Sequence, residues 1–446
     1  MVAPMRWFAR MYGLAVVAHL VGNPAGWRSD ELGGSLLLVV VSAVLGVLGL
    51  LLLVRPHRSA LGIAAALTLV SLWLELPVTG NHWLLVGFVA VAVLIALATS
   101  DSWAWLSVTG RWLLLGFYSF AAFAKLNTGF LDPAVSCGVF YANQSLSSFG
   151  VPTFDGDSLV GTLTIIGPMV TELSVPVLLA FGRTRRAGVL LALAFHTVIS
   201  MDLGQHFYDF TAALFVLLCL FLPESTTAGF EERAARPSLA RSVMVVLAAM
   251  VVTASLLPSA PTVVVVERLV GFALWVPVAI WLIVRTAQDG WGAAPQPMRL
   301  RSVSAWVLVA AVVSNGLTPY LELKTSVGFT MYANLVTVAG ATNHLVVKRT
   351  AHLRKVQDDL VQVVETEDED LDVYRTEGYL LPRRNLLDYL ARHPEVSVVV
   401  QGSHGEETLD GSDGERMPVA LRKVASFRSV DRRDPPRCQS VFLPAL

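Results

Sequence analysis

Residues 35–54 run for twenty positions without a charged side chain, and stretches of this kind recur along about three quarters of the chain. A bilayer core about 30 Å thick is crossed by about 20 apolar residues of helix. Lipid offers an exposed backbone no partner, so such stretches are restricted to helices or closed barrels. Further candidates are residues 59–78, 83–99, 103–126, 158–181, 187–203, 207–223, 239–257, 262–284 and 303–317. Residues 7–21 form a shorter one that either spans or lies in the interface. The expectation is an all-α polytopic membrane bundle of about 9–11 transmembrane helices. Composition agrees, with only 15% charged residues against about 25% in a soluble chain. A net charge of −1 excludes the basic excess that a nucleic-acid partner calls for.

Arginine placement gives the bundle a direction, because short cytoplasmic loops collect positive charge. With the N-terminus inside, alternate loops hold thirteen arginines, from Arg6 and Arg10 through the Arg183–Arg186 cluster to Arg299 and Arg301. The opposite loops up to the last span hold only Arg28. This predicts a multi-pass protein of the cell membrane with a cytoplasmic N-terminus. The C-terminal region and the loop at 127–157 then lie on the extracytoplasmic side.

The chain divides into a bundle at 1–320 and a polar C-terminal region at 321–446, predicted to hold a small α+β extracytoplasmic domain. There, residues 378–393 pattern as an amphipathic helix and 395–401 as a buried strand. The segment 402–415 reads as turns, and 419–426 as a second strand. The acidic run ETEDEDLD at 365–372 reads as a solvated linker, since it lacks the spacing of a calcium loop.

Ionisable side chains inside spans are costly and mark functional sites by default. Arg111, Lys125, Glu75, Glu172, His196 and Glu267 fall within spans, while His82, Asp202, His206 and Asp209 cluster at the outer boundary. Each has a plain structural reading. Lys125 at a helix end can snorkel to the interface, His196 can be a core histidine bonded across helices, and Glu172 can pair with Arg111 or the arginine cluster. Convergence favours function, since Lys125, His82, His196, His206 and Asp202 all fall in the outer half. A buried lysine that loses its proton is a usable general base.

No phosphate loop, HExxH or Gly-x-Ser-x-Gly element is present, and no spacing marks a metal site. Cys137, Cys219 and Cys438 form no disulfide scaffold. Cys137 and Cys438 both fall outside, where either a disulfide tying the C-terminal region to the bundle or two free thiols fits the sequence. Broken helices in matching halves, the mark of a secondary transporter, are absent from the sequence.

FAAFAKLNTGFLDP (120–133), GNHW (80–83), ELSVPVLLAFGRTRRAG (172–188) and FHTVISMDLGQHFYDF (195–210) together resemble the HTTM (horizontally transferred transmembrane) domain family. That family includes the vitamin K-dependent gamma-glutamyl carboxylases. NGLTPYLELKTSVGFTMYANL (315–335) is similar to a segment common in bacterial members. The resemblance implies that Lys125 is the base that activates reduced vitamin K or menaquinone. It implies that His82, with Asn81 beside it, and His196 bind or polarise the quinol, with Glu172, Asp202 and His206 in support. The substrate expected at the outer face is a small molecule or a peptide, in a site open to membrane lipid. The short C-terminal region departs from the carboxylase pattern, having no counterpart to its large propeptide-capturing domain. A non-catalytic scaffold that binds lipid or quinone and recruits a partner through the outer domain is the alternative.

Overall fold

The computed structural model describes residues 1–23, 36–202, 207–236, 261–289, 297–403 and 405–439, with backbone alone at 261–271, 273 and 274. Arg28, His206, the span expected at 239–257 and the Glu267 side chain lie outside the described residues.

The chain is mostly helical. Four helices are long and apolar enough to cross a membrane: α2 (Leu36–Val54), α3 (Arg58–Glu75), α5 (Ser102–Ala124) and α8 (Leu159–Ala180). The apolar helices α4 (Asn81–Leu97), α10 (Phe207–Leu218) and α13 (Val303–Leu317) are shorter. Between them lie α1 (Ala3–Gly22), α6 (Thr128–Leu131), α7 (Cys137–Ser148), α9 (Arg185–Ile199), α11 (Glu224–Ala234) and α12 (Pro261–Gln288). Helix α1, the weakest candidate by sequence, is buried along most of its length. Phe8, Tyr12 and Val16 are fully buried, and Arg10 is held by Glu231 at 2.7 Å. Its two arginines dilute its hydropathy, while its other residues fill the centre.

The outer faces of α2 and α8 expose Val40, Val47, Leu163 and Val177. Contiguous apolar exposure of this kind suits contact with lipid rather than water. Arg111 donates to the carbonyls of Leu220 (2.8 Å) and Pro297 (2.7 Å), which ties α5 to two neighbouring turns.

Beyond α13 the chain folds back over one end of the bundle, through residues 318–350. Val327, Phe329, Tyr332 and Asn334 all take positive φ, a costly conformation for residues with a Cβ. A two-stranded ribbon, β1 (Thr337–Val338) with β2 (Ala341–Thr342), completes this segment. The C-terminal unit follows as β3 (Leu360–Thr366), α14 (Glu369–Glu377), β4 (Leu380–Pro382), α15 (Arg383–Arg392), β5 (Ser397–Gly402), β6 (Gly405–Asp410) and α16 (Val419–Val424). Its antiparallel sheet runs β4-β3-β5-β6. Leu386, Tyr389 and Leu390, at helical spacing on α15, pack with Val361, Val363, Val398 and Val400 of the sheet.

Three local expectations are corrected here. The acidic run is the end of β3 and the start of α14, where Asp368 caps the Leu371 N–H at 2.9 Å. Glu369, Asp370 and Asp372 stand in the first turn of that helix, where acidic groups offset the helix dipole. The turn-rich segment contains β6, which pairs with β5 along its full length. The second strand expected at 419–426 is instead α16.

Contacts at several places fasten the C-terminal unit to the rest of the chain. Cys137 and Cys438 form a disulfide, choosing between the two arrangements the sequence allowed. Lys423 of α16 donates to the carbonyls of Trp73, Leu74 and Leu76 at 2.8–3.1 Å, so a cation closes the C-terminal end of α3. Asn334 donates to the carbonyls of Val135 and Pro436 and accepts from the Cys137 N–H.

Candidate functional site

Lys125 is the residue at which α5 stops. Two positions later, Asn127 caps α6 by accepting from the Phe130 N–H at 2.8 Å, and its amide donates to the carbonyls of Ala124 and Ala333. This fixes the turn and keeps the lysine inside. Lys125 Nζ lies 2.7 Å from Glu172 Oε2, 3.3 Å from the Met331 carbonyl and 3.4 Å from that of Ala121. Snorkelling is thereby excluded for this side chain. Glu172 takes Lys125 as its partner rather than Arg111 or the arginine cluster, midway between Pro168 and Pro176 of α8.

His196 is buried on α9. Its Nε2 shares a short hydrogen bond with the Tyr118 hydroxyl of α5. Its Nδ1 is buried with no partner among the described residues. Lys125, Glu172, Tyr118 and His196 line one cavity of about 640 Å³ whose remaining surface is almost wholly apolar. That volume lies within the usual range for a small-molecule or cofactor site. Its wall includes Val160, Leu163 and Val198, which are 50%, 60% and 66% exposed on the apolar outer surface.

His82 and Asn81 border a second cavity of about 210 Å³ that shares Phe207, Phe210, Met331 and Tyr332 with the first. His82 bonds Asp209 at 2.8 Å. Asn81 accepts from the Phe329 N–H at 2.7 Å, which locks the folded-back segment onto α4. Phe210 lies between the two chambers, its ring 5.7 Å from that of His82 and 5.1 Å from that of His196. Asp202 accepts from Ser145 at 2.8 Å beside the larger cavity.

Sequence reasoning missed Tyr118, Asn127 and His19. Tyr118 and Asn127 are unremarkable within an aromatic-rich span and a loop. His19 was hidden because its helix was the weakest candidate, although a histidine inside an apolar run was a usable signal. It bonds Glu75 at 3.0 Å and Asp209 at 3.1 Å and stacks on Trp83. The sequence carries no metal-ligand spacing, yet the fold gathers His19, His82 and Asp209, ligands from α1, α4 and α10.

Compared with known families, with curated proteins and with solved structures, the chain matches none. The resemblance to the HTTM family therefore rests on the motifs themselves.

Proposed function

We propose that this chain is a polytopic membrane protein of HTTM type that acts on a quinol such as reduced menaquinone, with Lys125 as the base. In this reading the N-terminus is cytoplasmic, and the C-terminal unit covers the working end from the extracytoplasmic side. The observation that carries the reading is the 640 Å³ cavity. It is apolar, bordered by lipid-facing side chains, and supplied with only a few polar groups. A ring-shaped hydrophobic ligand fits that chemistry, and the Nδ1 of buried His196, unpartnered among the described residues, offers one of its oxygens a hydrogen bond.

A bound quinol would supply two electrons, which in this reading pass to dioxygen, and two hydroxyl protons. The chain's own residues do the rest. Glu172, 2.7 Å from Lys125, can take the ammonium proton and leave a neutral amine facing the cavity. That amine is then free to accept a hydroxyl proton. Tyr118 holds His196 in one orientation through Nε2. The aromatic wall formed by Phe117, Phe207 and Phe210 keeps water out. A small molecule or peptide at the outer face is the second substrate in this reading, and carboxylation is the reaction that the family resemblance favours.

The second reading is a scaffold that binds lipid or quinone without chemistry. The saturation of Lys125 by a carboxylate and two carbonyls favours it, because a fully partnered lysine is also a structural one. Menaquinol oxidation by dissolved dioxygen, with the purified protein in nanodiscs, separates the two. Lys125→Ala should abolish turnover while His196→Phe weakens menaquinone binding at least tenfold. Turnover unchanged in Lys125→Ala removes the enzyme reading.

A further inference from the structure

At the same end of the bundle, three ligand-type atoms face one another across elements far apart in the chain. Asp209 Oδ2 lies 3.1 Å from His19 Nδ1 and 2.8 Å from His82 Nε2. All three atoms fall within 4.8 Å of one another. Neighbouring ligands on one tetrahedral ion with bonds of about 2.1 Å stand roughly 3.4 Å apart, so small side-chain adjustments would let these atoms converge on a shared metal. His19 turns its other nitrogen to Glu75 Oε2 at 3.0 Å. This is the outer carboxylate that commonly orients a metal-bound imidazole.

Two further observations point to a ligand. Asp209 is almost fully buried, and its Oδ1 has no partner among the described residues. The other oxygen, Oδ2, meets His19, His82 and the Asn23 amide at 2.9 Å. The 210 Å³ cavity opens onto Asn23, His82 and Asp209, leaving room for water or substrate on the exposed side. Charge argues in the same direction. Two buried carboxylates with two neutral imidazoles leave an excess of two negative charges. Either two protons or one divalent cation balances it.

We propose that His19, His82 and Asp209 bind one divalent transition-metal ion, with Glu75 holding the His19 ring and an open position facing the smaller cavity. Two imidazoles and a carboxylate suit zinc or ferrous iron better than calcium or magnesium. The proposal goes beyond the quinol reading and does not depend on it, since Lys125 and Glu172 supply no ligand.

The test uses full-length protein in detergent, stripped with chelator and titrated with zinc chloride, with bound metal counted by mass spectrometry. One zinc per chain is expected, with two imidazole ligands in its X-ray absorption spectrum. Asp209→Asn should lower affinity at least 100-fold and Glu75→Gln by about 10–100-fold, while Lys125→Ala keeps the metal. Absence of bound zinc in the wild type, or zinc without imidazole in its spectrum, overturns the proposal. So does a folded Asp209→Asn variant that binds as the wild type does. The spectrum of the wild type decides the matter even if the Asp209 variant fails to fold. Absence of menaquinol turnover in the wild type, with zinc bound, counts against the quinol reading alone.

Discussion

Lys125 and Glu172 meet at 2.7 Å although 47 residues separate them, one ending α5 and the other midway along α8. Both side chains are largely shielded. Removing one partner from a buried pair strands the other charge, at a cost of about 3–5 kcal/mol, whereas replacing both with apolar groups is often neutral. Lys125→Met should therefore lower the thermal midpoint in detergent sharply, and Lys125→Met with Glu172→Leu should recover most of it. Equal midpoints for wild type and the single variant would show that the pair contributes little.

The disulfide joins residues 301 positions apart. Closing so long a loop restricts the unfolded chain, an effect worth roughly 2–5 kcal/mol. Cys438→Ser, or reduction of the wild type, should lower the melting midpoint. It should also expose the junction near Val135 and Pro436 to protease, read as new fragments on a gel. Identical protease patterns before and after reduction would count against the clasp.

Gly138 of α7 packs directly against the backbone of α8. A Cβ there would stand 2.3 Å from the Thr164 carbonyl oxygen, which backbone cannot yield cheaply. Both helices line the large cavity. Gly138→Ala should cost roughly 1–3 kcal/mol and weaken menaquinone binding, whereas Gly167→Ala, with open space around it, should do neither. A binding titration of both variants checks this.

Lys324 is buried in the folded-back segment after α13, and desolvation pushes its ammonium down to about 8. Below that pH the lysine is charged in both folded and unfolded chains, and the folded state carries the whole cost of burying it. Between about 8 and the ordinary value of 10.5, the unfolded chain binds more protons, so stability rises with pH. Lys324→Met should raise the unfolding free energy at pH 7 by up to about 3 kcal/mol. The gain should shrink steadily towards pH 10.5. A gain independent of pH would locate the effect in packing instead.

Helix positions were largely legible from sequence because the apolar period is local. The expected 303–317 coincides with α13, and 35–54 with α2 to within a residue. The C-terminal amphipathic helix was legible over Arg383–Arg392 for the same reason, with Leu386 and Leu390 one turn apart, whereas Leu380–Pro382, expected to begin it, is strand β4. The acidic run misled because its charge is conspicuous, while the single Asp368 cap that converts it into a helix start is not. The 419–426 segment misled because Val419 and Val424 suggest a strand, whereas the docking of Lys423 onto the end of α3 suits a helix.

Sequence alone determined that this chain must build an apolar helical bundle and that Lys125, Glu172, His82 and His196 are costly residues to place in it. Both follow from the free energy of putting a residue type in an apolar medium. Tertiary structure decided which costs are shared. Glu172 pairs with Lys125 across two helices, His196 keeps one nitrogen unpartnered among the described residues at the cavity, and His82 turns away to join His19 and Asp209. Partner choice among buried charges depends on distances between elements remote in the chain, and no local period records those distances.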